Sequence, residues 1–579
     1  MPAPVLTDIP LPAVEALETP ALPAPHHAPP LSSLSVREKV AQLVMPWVGG
    51  DYWANDNAAM QAALRLVADQ GVGGFVVGVG ASPYDLAAKF NALQRASRLP
   101  LLIAADLESG PSMRIRGGTA LPGNMALGAG GRELDAYEVG RIIALEARAV
   151  GIHLVFAPVL DVNNDPANPI INTRSFGEDP SRVAALGAAF IRGVEENGVM
   201  ATAKHFPGHG DTGTDSHVAL PVIAAGRARL DSIELVPFRA AVRAGVDAVM
   251  TAHIALPALT GTDAPATVSP VVLDTLLRHG LGFRGLVVTD ALNMGAIVSR
   301  YGAARAAVLA FEAGADVLLM PADPVAAIDS LAAAVTSGEV SMARLDASVT
   351  RVFAAKSRAG LWGGRGVDLG RVAGVVGTAE HAVLAQEIAE RTLVLVRDSA
   401  GLVPLPPERR RSVVVVTYAE ESNRDAGTWF PAALRDAVDT LRTFRIWPAS
   451  GPASYDSVRA AVAGAGAVIF LAAARPVAGR PDAVGIPPAL AALVEELSAA
   501  AAPAIVVSTG SPYLLAQVPH AQAYLLAWSS VQSAETAAAR ALLGTVAITG
   551  QLPVSLPPLH PLRSGLVRPG PAGGRTGGP

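Results

Sequence analysis

Eight short apolar runs punctuate the first part of the chain, at residues 41–47, 74–77, 101–106, 153–158, 201–205, 248–253, 286–290 and 316–321. Between them lie longer segments with helical apolar spacing, such as 135–150 and 180–197, where Gly151 and Gly198 act as stop signals before the next run. Strands buried on both faces are continuously apolar, so eight such runs with crossover helices are the arithmetic of an α/β fold, a (β/α)8 TIM-like barrel. A doubly wound sheet is the competing arrangement. The placement of polar residues favours the barrel, because run after run is apolar until its last position and then ends in a reactive group. Asp106, Lys204 with His205, His253 and Asp290 all sit there, and Asp161 follows shortly after its run. In a barrel those ends converge on one mouth, whereas in an open sheet they spread along an edge.

A chain of 579 residues exceeds what one hydrophobic core usually supports, so a second domain is expected. Residues 1–34 are rich in Pro and Ala without periodicity and read as a loosely draped arm. The barrel is expected over 35–359 and a linker, Gly-rich at its start, over 360–390. A smaller α/β sandwich domain follows over 391–556, with strands at 393–396, 412–418, 467–471, 504–508 and 524–528. The Pro-, Gly- and Arg-rich stretch 557–579 reads as a disordered tail.

Half the residues are apolar and 16% are charged. The mean hydropathy of +0.37 requires a membrane segment to be considered. The run 460–474 is too short to span a bilayer, and the uncharged stretch 497–534 is broken by Pro503, Gly510, Pro512 and Pro519, so no transmembrane helix is expected. A net charge of −5 offers no electrostatic argument for a nucleic-acid or membrane partner. There are no cysteines, which excludes disulfides and thiol ligands. The first thirty residues lack a basic n-region and an unbroken apolar h-region, so they do not resemble a signal peptide and a cytoplasmic location is expected.

The densest chemistry lies in 204–217, K-H-F-P-G-H-G-D-T-G-T-D-S-H, which follows an apolar run and therefore reads as a catalytic loop at a strand end. His217 lies two residues from Asp215, a spacing at which a carboxylate can hydrogen-bond the imidazole, raise its pKa and let it donate a proton near neutral pH. Asp290 ends the run G-L-V-V-T-D and is a candidate nucleophile or metal ligand, or simply the cap of the following helix. A metal-dependent hydrolase would use His205, His209, His217, His253 and Asp290 as ligands. Pro207 and Gly208, however, make the helix that would align His205 and His209 improbable, and no metal or other cofactor is expected. Covalent glycosyl transfer is the stronger alternative: a carboxylate attacks the anomeric carbon, an acid protonates the leaving oxygen, and other groups grip the hydroxyls. Asp106 suits gripping, since a carboxylate accepts from two neighbouring hydroxyls, while Lys204, His205, Arg114 and Arg174 can donate. Arg174 could instead pair with nearby Glu178 or Asp179.

Several motifs carry a resemblance: Asp106-Leu-Glu108, Arg114 with Arg116-Gly-Gly-Thr, Arg174-Ser-Phe-Gly-Glu-Asp-Pro, the run 204–217, and Val288-Thr-Asp290 with Met294. In order and spacing they resemble glycoside hydrolase family 3. K-H-F-P-G-H-G followed after four residues by D-S-H resembles its bacterial β-N-acetylglucosaminidase branch, whose members remove terminal N-acetylglucosamine, often from peptidoglycan fragments. The resemblance implies Asp290 as nucleophile, Asp215 and His217 as the general acid/base dyad, and Asp106, Arg114, Arg174, Lys204 and His205 as sugar-binding groups. It implies a retaining glycosidase acting on a small carbohydrate, a β-N-acetylhexosaminidase, with a β-glucosidase or β-xylosidase as the alternative and a non-catalytic sugar-binding protein as the remote one. An imidazole in place of a second carboxylate avoids charge repulsion with an anionic acceptor, which makes phosphorolysis conceivable. The sequence departs from the family pattern at Glu108-Ser109-Gly110-Pro111, where Glu-Gly-Gly is usual, so the loop carrying Arg114 is expected to be shaped differently. Glu420 or Glu421 of the second domain could be proposed as an alternative acid.

Overall fold

The computed structural model describes residues 27–80, 82–214, 219–477, 479–500 and 503–571. Eight parallel strands form its first domain: β1 (Val44–Met45 and, past Pro46, Trp47–Gly50), β2 (Gly74–Gly80), β3 (Leu102–Ala105), β4 (Leu154–Val155), β5 (Met200–Phe206), β6 (Ala248–Thr251), β7 (Leu286–Val288) and β8 (Leu318–Leu319). Each pairs with the next in parallel through β7. A Val288 to Val317 bridge joins β7 to β8, and Val44 and Met45 pair with Leu318 and Leu319, so the sheet closes. This is the (β/α)8 barrel read from the apolar runs, each of which overlaps a strand. Helices flank it as expected. Glu133–Ala149 and Pro180–Glu195 fill two of the crossovers, and Gly151 and Gly198 follow them at φ 89° and 81°, values that only glycine adopts without strain. Asp179 caps Pro180–Glu195, accepting hydrogen bonds from Ser181 and Arg182 amides with Pro180 at the first helical position.

The second domain is a six-stranded sheet of β9 (Val394–Asp398), β10 (Val413–Tyr418), β11 (Leu441–Ile446), β12 (Ala467–Ala472), β13 (Ala504–Ser508) and β14 (Ala523–Leu526), in the order β9-β14-β13-β12-β10-β11. All neighbours are parallel except β9 with β14. Alternate residues face opposite layers. Val414, Val468, Val506 and Tyr524 pack with the helices Pro452–Val462 and Pro488–Ala499; Val413, Ile469, Ile505 and Leu525 pack with Trp429–Leu434 and Gln532–Leu542. Strand β11 has no counterpart in the sequence reading. It is an edge strand with exposed Arg442 and Thr443, so it lacks the continuous apolar signature of its neighbours.

Other expectations change at the boundaries. Most of the arm, residues 1–26, lies outside the described residues; Leu31–Ser33 form a helical turn and Leu34 is buried. The 360–390 segment ends in the helix Ala379–Arg391, whose His381 ring meets buried Glu146 of the barrel at 2.7 Å. The tail read as disordered from 557 is ordered through 571: Leu566 bridges Leu395 on the open edge of β9, and the Arg568 guanidinium donates to fully buried Asp398 at 2.8 Å. Pairing with a strand edge and neutralising a buried carboxylate explain why a Pro- and Gly-rich segment holds one path here.

The second domain docks on the barrel mouth. Met125 and Ala129 of the barrel helix Asn124–Gly130 enter its core, Asn163 donates to the Tyr513 hydroxyl at 2.8 Å, and Glu178 accepts from the amide and hydroxyl of Ser555. No helix among the described residues is long and apolar enough to cross a membrane.

Candidate active site

The C-terminal ends of the barrel strands open into a cleft of about 610 Å³. Of the residues singled out from sequence, Asp106, Arg114, Arg174, Lys204, His205 and Asp290 line it together. Asp215 and His217 lie outside the described residues. Trp47, Met113, Phe156, Met250, Met294 and Met320 supply much of its apolar wall.

Lys204, at the end of β5 and 2% exposed, sits between two carboxylates: its ammonium is 2.8 Å from Asp106 Oδ1 and 2.7 Å from Glu108 Oε1. Arg174 grips Glu108 through two 2.9 Å hydrogen bonds, Nε to Oε2 and Nη2 to Oε1. Arg174 therefore pairs with neither Glu178, which takes Ser555, nor Asp179, which caps a helix and meets Arg563. Arg114 reaches Asp106 Oδ2 at 3.4 Å, so the altered Glu108-Ser109-Gly110-Pro111 loop still delivers its guanidinium to the site.

Burial penalises every charge in this lattice, and the lattice answers. Against desolvation, Lys204 and Arg114 keep the Asp106 carboxyl below its ordinary range, and Arg174 and Lys204 hold Glu108 well below it. Burial would likewise lower the Lys204 pKa, but Asp106 and Glu108 raise it above the ordinary value. All three are ionised at neutral pH. Asp106 keeps lone pairs toward the cleft, where it can accept from hydroxyls.

Asp161, fully buried, organises the loop that follows. Its Oδ1 accepts from the backbone amides of His205 and His209 at 3.1 and 2.7 Å, and its Oδ2 is 2.7 Å from His205 Nδ1. With Nδ1–H given to Asp161, His205 turns Nε2 toward Arg174 Nη2, 3.4 Å away. Gly210 is required here, because a Cβ would lie 1.7 Å from the Val162 carbonyl oxygen. Burial pushes the His209 imidazole down to about 4, so it is neutral, with Nδ1 2.9 Å from the Thr212 hydroxyl.

Asp290 follows β7. Its Oδ1 accepts from the Ala291 amide at 2.8 Å, and its own amide donates to Thr251 Oγ1 at 3.3 Å. Burial opposes its charge, but His205, His253, the Ala291 amide and Lys204 together keep the pKa below the ordinary carboxylate value. The group is thus an ionised carboxylate facing a cleft, competent to attack an electrophilic carbon. Beneath it, His253 Nε2 donates to the Ala291 carbonyl at 3.0 Å, and its Nδ1 lies 2.7 Å from Thr267 Oγ1, which donates to the Ala252 carbonyl at 3.0 Å. Among the described residues, no group of three or more His, Asp or Glu side chains is arranged to hold a metal ion.

Backbone strain concentrates here. Of four non-glycine residues with positive φ among those described, Met320 (46°) and Trp528 (71°) line the cleft and Asn172 (42°) adjoins the lining residue Ile171.

Glu108, Asp161 and the second-domain wall went unassigned in the sequence reading. Glu108 had a signal, since it stands two positions after Asp106 in the same motif; Asp161 had one in its place just past a strand run. The second-domain residues Arg475, Pro476, Thr509, Trp528, Ser529, Ser530 and Val531 had none, because only tertiary docking brings them to the mouth. Neither Glu420 nor Glu421 lines the cleft, and Glu420 is 3.5 Å from Arg480.

The family model for the glycosyl hydrolase family 3 N terminal domain matches residues 35–355, and that for the family 3 C-terminal domain matches 393–563. A β-N-acetylglucosaminidase/β-glucosidase of Cellulomonas fimi is 36% identical over 340 residues, 57% of this chain and 60% of that protein. The β-hexosaminidase LpqI of Mycobacterium tuberculosis is 34% identical over 61% of this chain and 88% of its own. The chain spans less than two thirds of the first curated relatives it matches, 60% of the Cellulomonas protein and 57% of a β-hexosaminidase A from Pseudoalteromonas piscicida. Among solved structures, a family 3 β-N-acetylglucosaminidase from Paenibacillus superposes with a TM-score of 0.82 at 37% identity, covering 90% of this chain and 99% of that one.

Proposed function

The chain belongs to glycosyl hydrolase family 3, and on that footing we propose that it is a retaining glycosidase releasing terminal β-linked N-acetylglucosamine. The observation that carries the reading is convergence: an ionised carboxylate at the end of β7 shares one cleft with a charged lattice suited to sugar hydroxyls. The names of the Paenibacillus, Cellulomonas and Mycobacterium relatives support the acetamido sugar.

In the proposed reaction the sugar lies on the cleft floor, with Asp106 accepting from its hydroxyls and Lys204, Arg174, Arg114 and His205 positioned around them. The Asp290 carboxylate attacks the anomeric carbon as the bond to the leaving oxygen breaks, forming a glycosyl ester. The His217 imidazolium, oriented by Asp215, gives its proton to that oxygen. The neutral imidazole then takes a proton from water, whose oxygen attacks the anomeric carbon and returns Asp290 as carboxylate with retained configuration. The substrates we propose are small peptidoglycan fragments, turned over in the cytoplasm during cell-wall recycling.

The dual name of the Cellulomonas relative favours a glucosidase as second reading. Turnover of nitrophenyl N-acetylglucosaminide and nitrophenyl glucoside decides between them: the acetamido substrate is expected to be preferred, and a clear preference for glucoside would overturn the assignment. The same assay on His217→Ala is expected to show the smallest loss with leaving groups that need no proton. Equal loss for good and poor leaving groups would remove His217 from the acid role.

A further inference from the structure

Two barrel arginines in the cleft are held in different ways. Arg174 grips Glu108 through two 2.9 Å hydrogen bonds, whereas Arg114 meets Asp106 at 3.4 Å and its own Met113 carbonyl at 3.2 Å. Contacts that long do little to aim a guanidinium, so the place of Arg114 is set by the backbone that carries it. That backbone is the loop 110–121, pinched where the Ser112 amide donates to the Thr119 carbonyl at 3.3 Å and turned where the Ile115 amide donates to the Pro111 carbonyl at 2.8 Å.

The loop is fastened from outside the cleft. Thr119 gives both its amide, at 2.9 Å, and its hydroxyl to Glu146, a fully buried residue of the helix Glu133–Ala149. A third partner for Glu146 comes from the segment between the domains: Nδ1 of buried His381, in the helix Ala379–Arg391, lies 2.7 Å from Glu146 Oε1. Just before this helix, Gly377 packs so closely on the loop that a Cβ would lie 2.1 Å from the Gly117 carbonyl oxygen. The interdomain helix is braced on both sides, Arg391 on Asp135 of the same barrel helix at 3.0 and 3.2 Å, and Glu390 on Arg540 of the second-domain helix Gln532–Leu542. Ser533, near the start of that second-domain helix, donates to the Ala120 carbonyl at 3.4 Å. These contacts tie the Arg114 loop to chain beyond the barrel. A buried carboxyl shared among several donors holds them in one geometry, and loss of one donor loosens the rest.

We propose that His381 is a positioning residue: through Glu146 and Thr119 it sets the loop that aims Arg114 at the sugar, so that the docked second domain tunes how tightly the barrel holds its substrate. The inference rests on the glycosidase reading, with Arg114 as a sugar-binding group. It gives the segment between the domains a part in binding that reaches the cleft without lining it, since none of His381, Glu146 and Thr119 is in the cleft wall. Arg114 holds the sugar before and during the reaction alike, so the effect falls on KM rather than kcat.

The test measures hydrogen exchange of the amides of 112–119, and steady-state rates on nitrophenyl N-acetylglucosaminide, on the full chain as wild type, His381→Ala, His381→Asn, Arg114→Ala and the double variant His381→Ala with Arg114→Ala. His381→Ala is expected to speed exchange in the loop by about tenfold and to raise KM about fivefold, with kcat within about twofold. His381→Asn, which offers an amide donor in place of Nδ1, should restore both. Arg114→Ala should raise KM about tenfold, and adding His381→Ala should then cost less than about twofold more, because the path ends at the guanidinium. Should His381→Ala not fold, Thr119→Ala removes the hydroxyl at the other end of the same contact and takes its place in the cycle. Unchanged exchange in the loop, an unchanged KM, or the same rise in KM with and without Arg114 overturns the proposal. A wild type that turns over neither the acetamido nor the glucose substrate fails the glycosidase reading by itself, while exchange in the loop still decides whether His381 holds it.

Discussion

Asp290 and Asp316 are carboxylates on neighbouring strands of one barrel, and they sit at opposite ends. Asp316 precedes β8 and is fully buried. It accepts from Arg278 at 2.5 Å, Ser348 at 2.6 Å, Arg351 at 2.9 Å and the Val287 amide at 3.0 Å, with Arg344 a further 3.5 Å contact. Every lone pair is spoken for. Asp290 follows β7 and accepts from the Ala291 amide, while the rest of the carboxylate faces a cleft. The same functional group is a structural clamp where its hydrogen-bonding capacity is filled and, in the function proposed above, a reagent where it is left open. Strand direction sets which end does which, since loops at the C-terminal face build the mouth and the N-terminal face closes the fold.

The comparison breaks most visibly if the two residues exchange phenotypes. Asp290→Ala is expected to lose on the order of 10⁴-fold or more in kcat on the acetamido aryl glycoside, with a melting temperature close to wild type. Asp316→Ala is expected to cost about 3–5 kcal/mol of stability, because removing one partner leaves three arginines at a desolvated site without their anion. Denaturant titration and initial rates on both variants check this. A destabilised Asp290→Ala, or an Asp316→Ala that keeps its midpoint and loses turnover, would erase the distinction between the two ends.

How far the sequence anticipates this depends on what each residue's role requires. The eight barrel strands were legible because strands buried on both faces must be apolar throughout, and a reactive group after a greasy run is visible without knowing its partners. Strand β11 was not, because an edge strand exposes one face and carries Arg442 and Arg445 among its apolar positions. In the site, Asp106, Lys204, Arg174, His205 and Asp290 were legible as residues but not as pairs. Proximity in sequence suggested Glu178 or Asp179 for Arg174, whereas the fold supplies Glu108, sixty-six positions away. The ordered path of 557–571 was hidden for a similar reason. Its composition argues for disorder, and what holds it is the β9 edge and the Asp398 carboxylate, both distant in sequence.

A subtler contrast lies beneath Asp290 itself. Its amide donates to Thr251, the Thr251 hydroxyl lies 2.8 Å from Thr267 Oγ1, Thr267 Oγ1 lies 2.7 Å from His253 Nδ1 while donating to the Ala252 carbonyl, and His253 Nε2 donates to Ala291, so the contacts run in a ring from the Asp290 amide to the Ala291 carbonyl. The open carboxylate is thus carried on a backbone that is nearly as saturated as Asp316. Thr267→Val keeps the shape and removes the link, and about a tenfold fall in kcat with KM little changed is expected, alongside a stability loss of about 1–3 kcal/mol. An unaltered kcat would mean that the ring supports the fold without positioning the proposed nucleophile.

The smallest effect expected belongs to the structural end alone. His153 begins the strand run of β4, accepts the Ile103 amide on Nδ1 at 3.1 Å, and is pushed down to about 4 by burial, with Arg148 adding to the shift. Its ordinary pKa is near 6.5, so below that value the unfolded chain binds a proton that the folded imidazole refuses. Stability from this group is therefore complete above about pH 6.5 and is lost as pH falls toward about 4, by on the order of 2 kcal/mol. His153→Asn offers an acceptor in place of Nδ1 and does not titrate. It should flatten the fall in melting temperature between about pH 6.5 and 4.5 and leave turnover at neutral pH as in wild type. A profile as steep as wild type would show that the acid sensitivity of this barrel comes from elsewhere. Altered turnover at neutral pH would show that its two ends are coupled, against the separation that Asp290 and Asp316 exhibit.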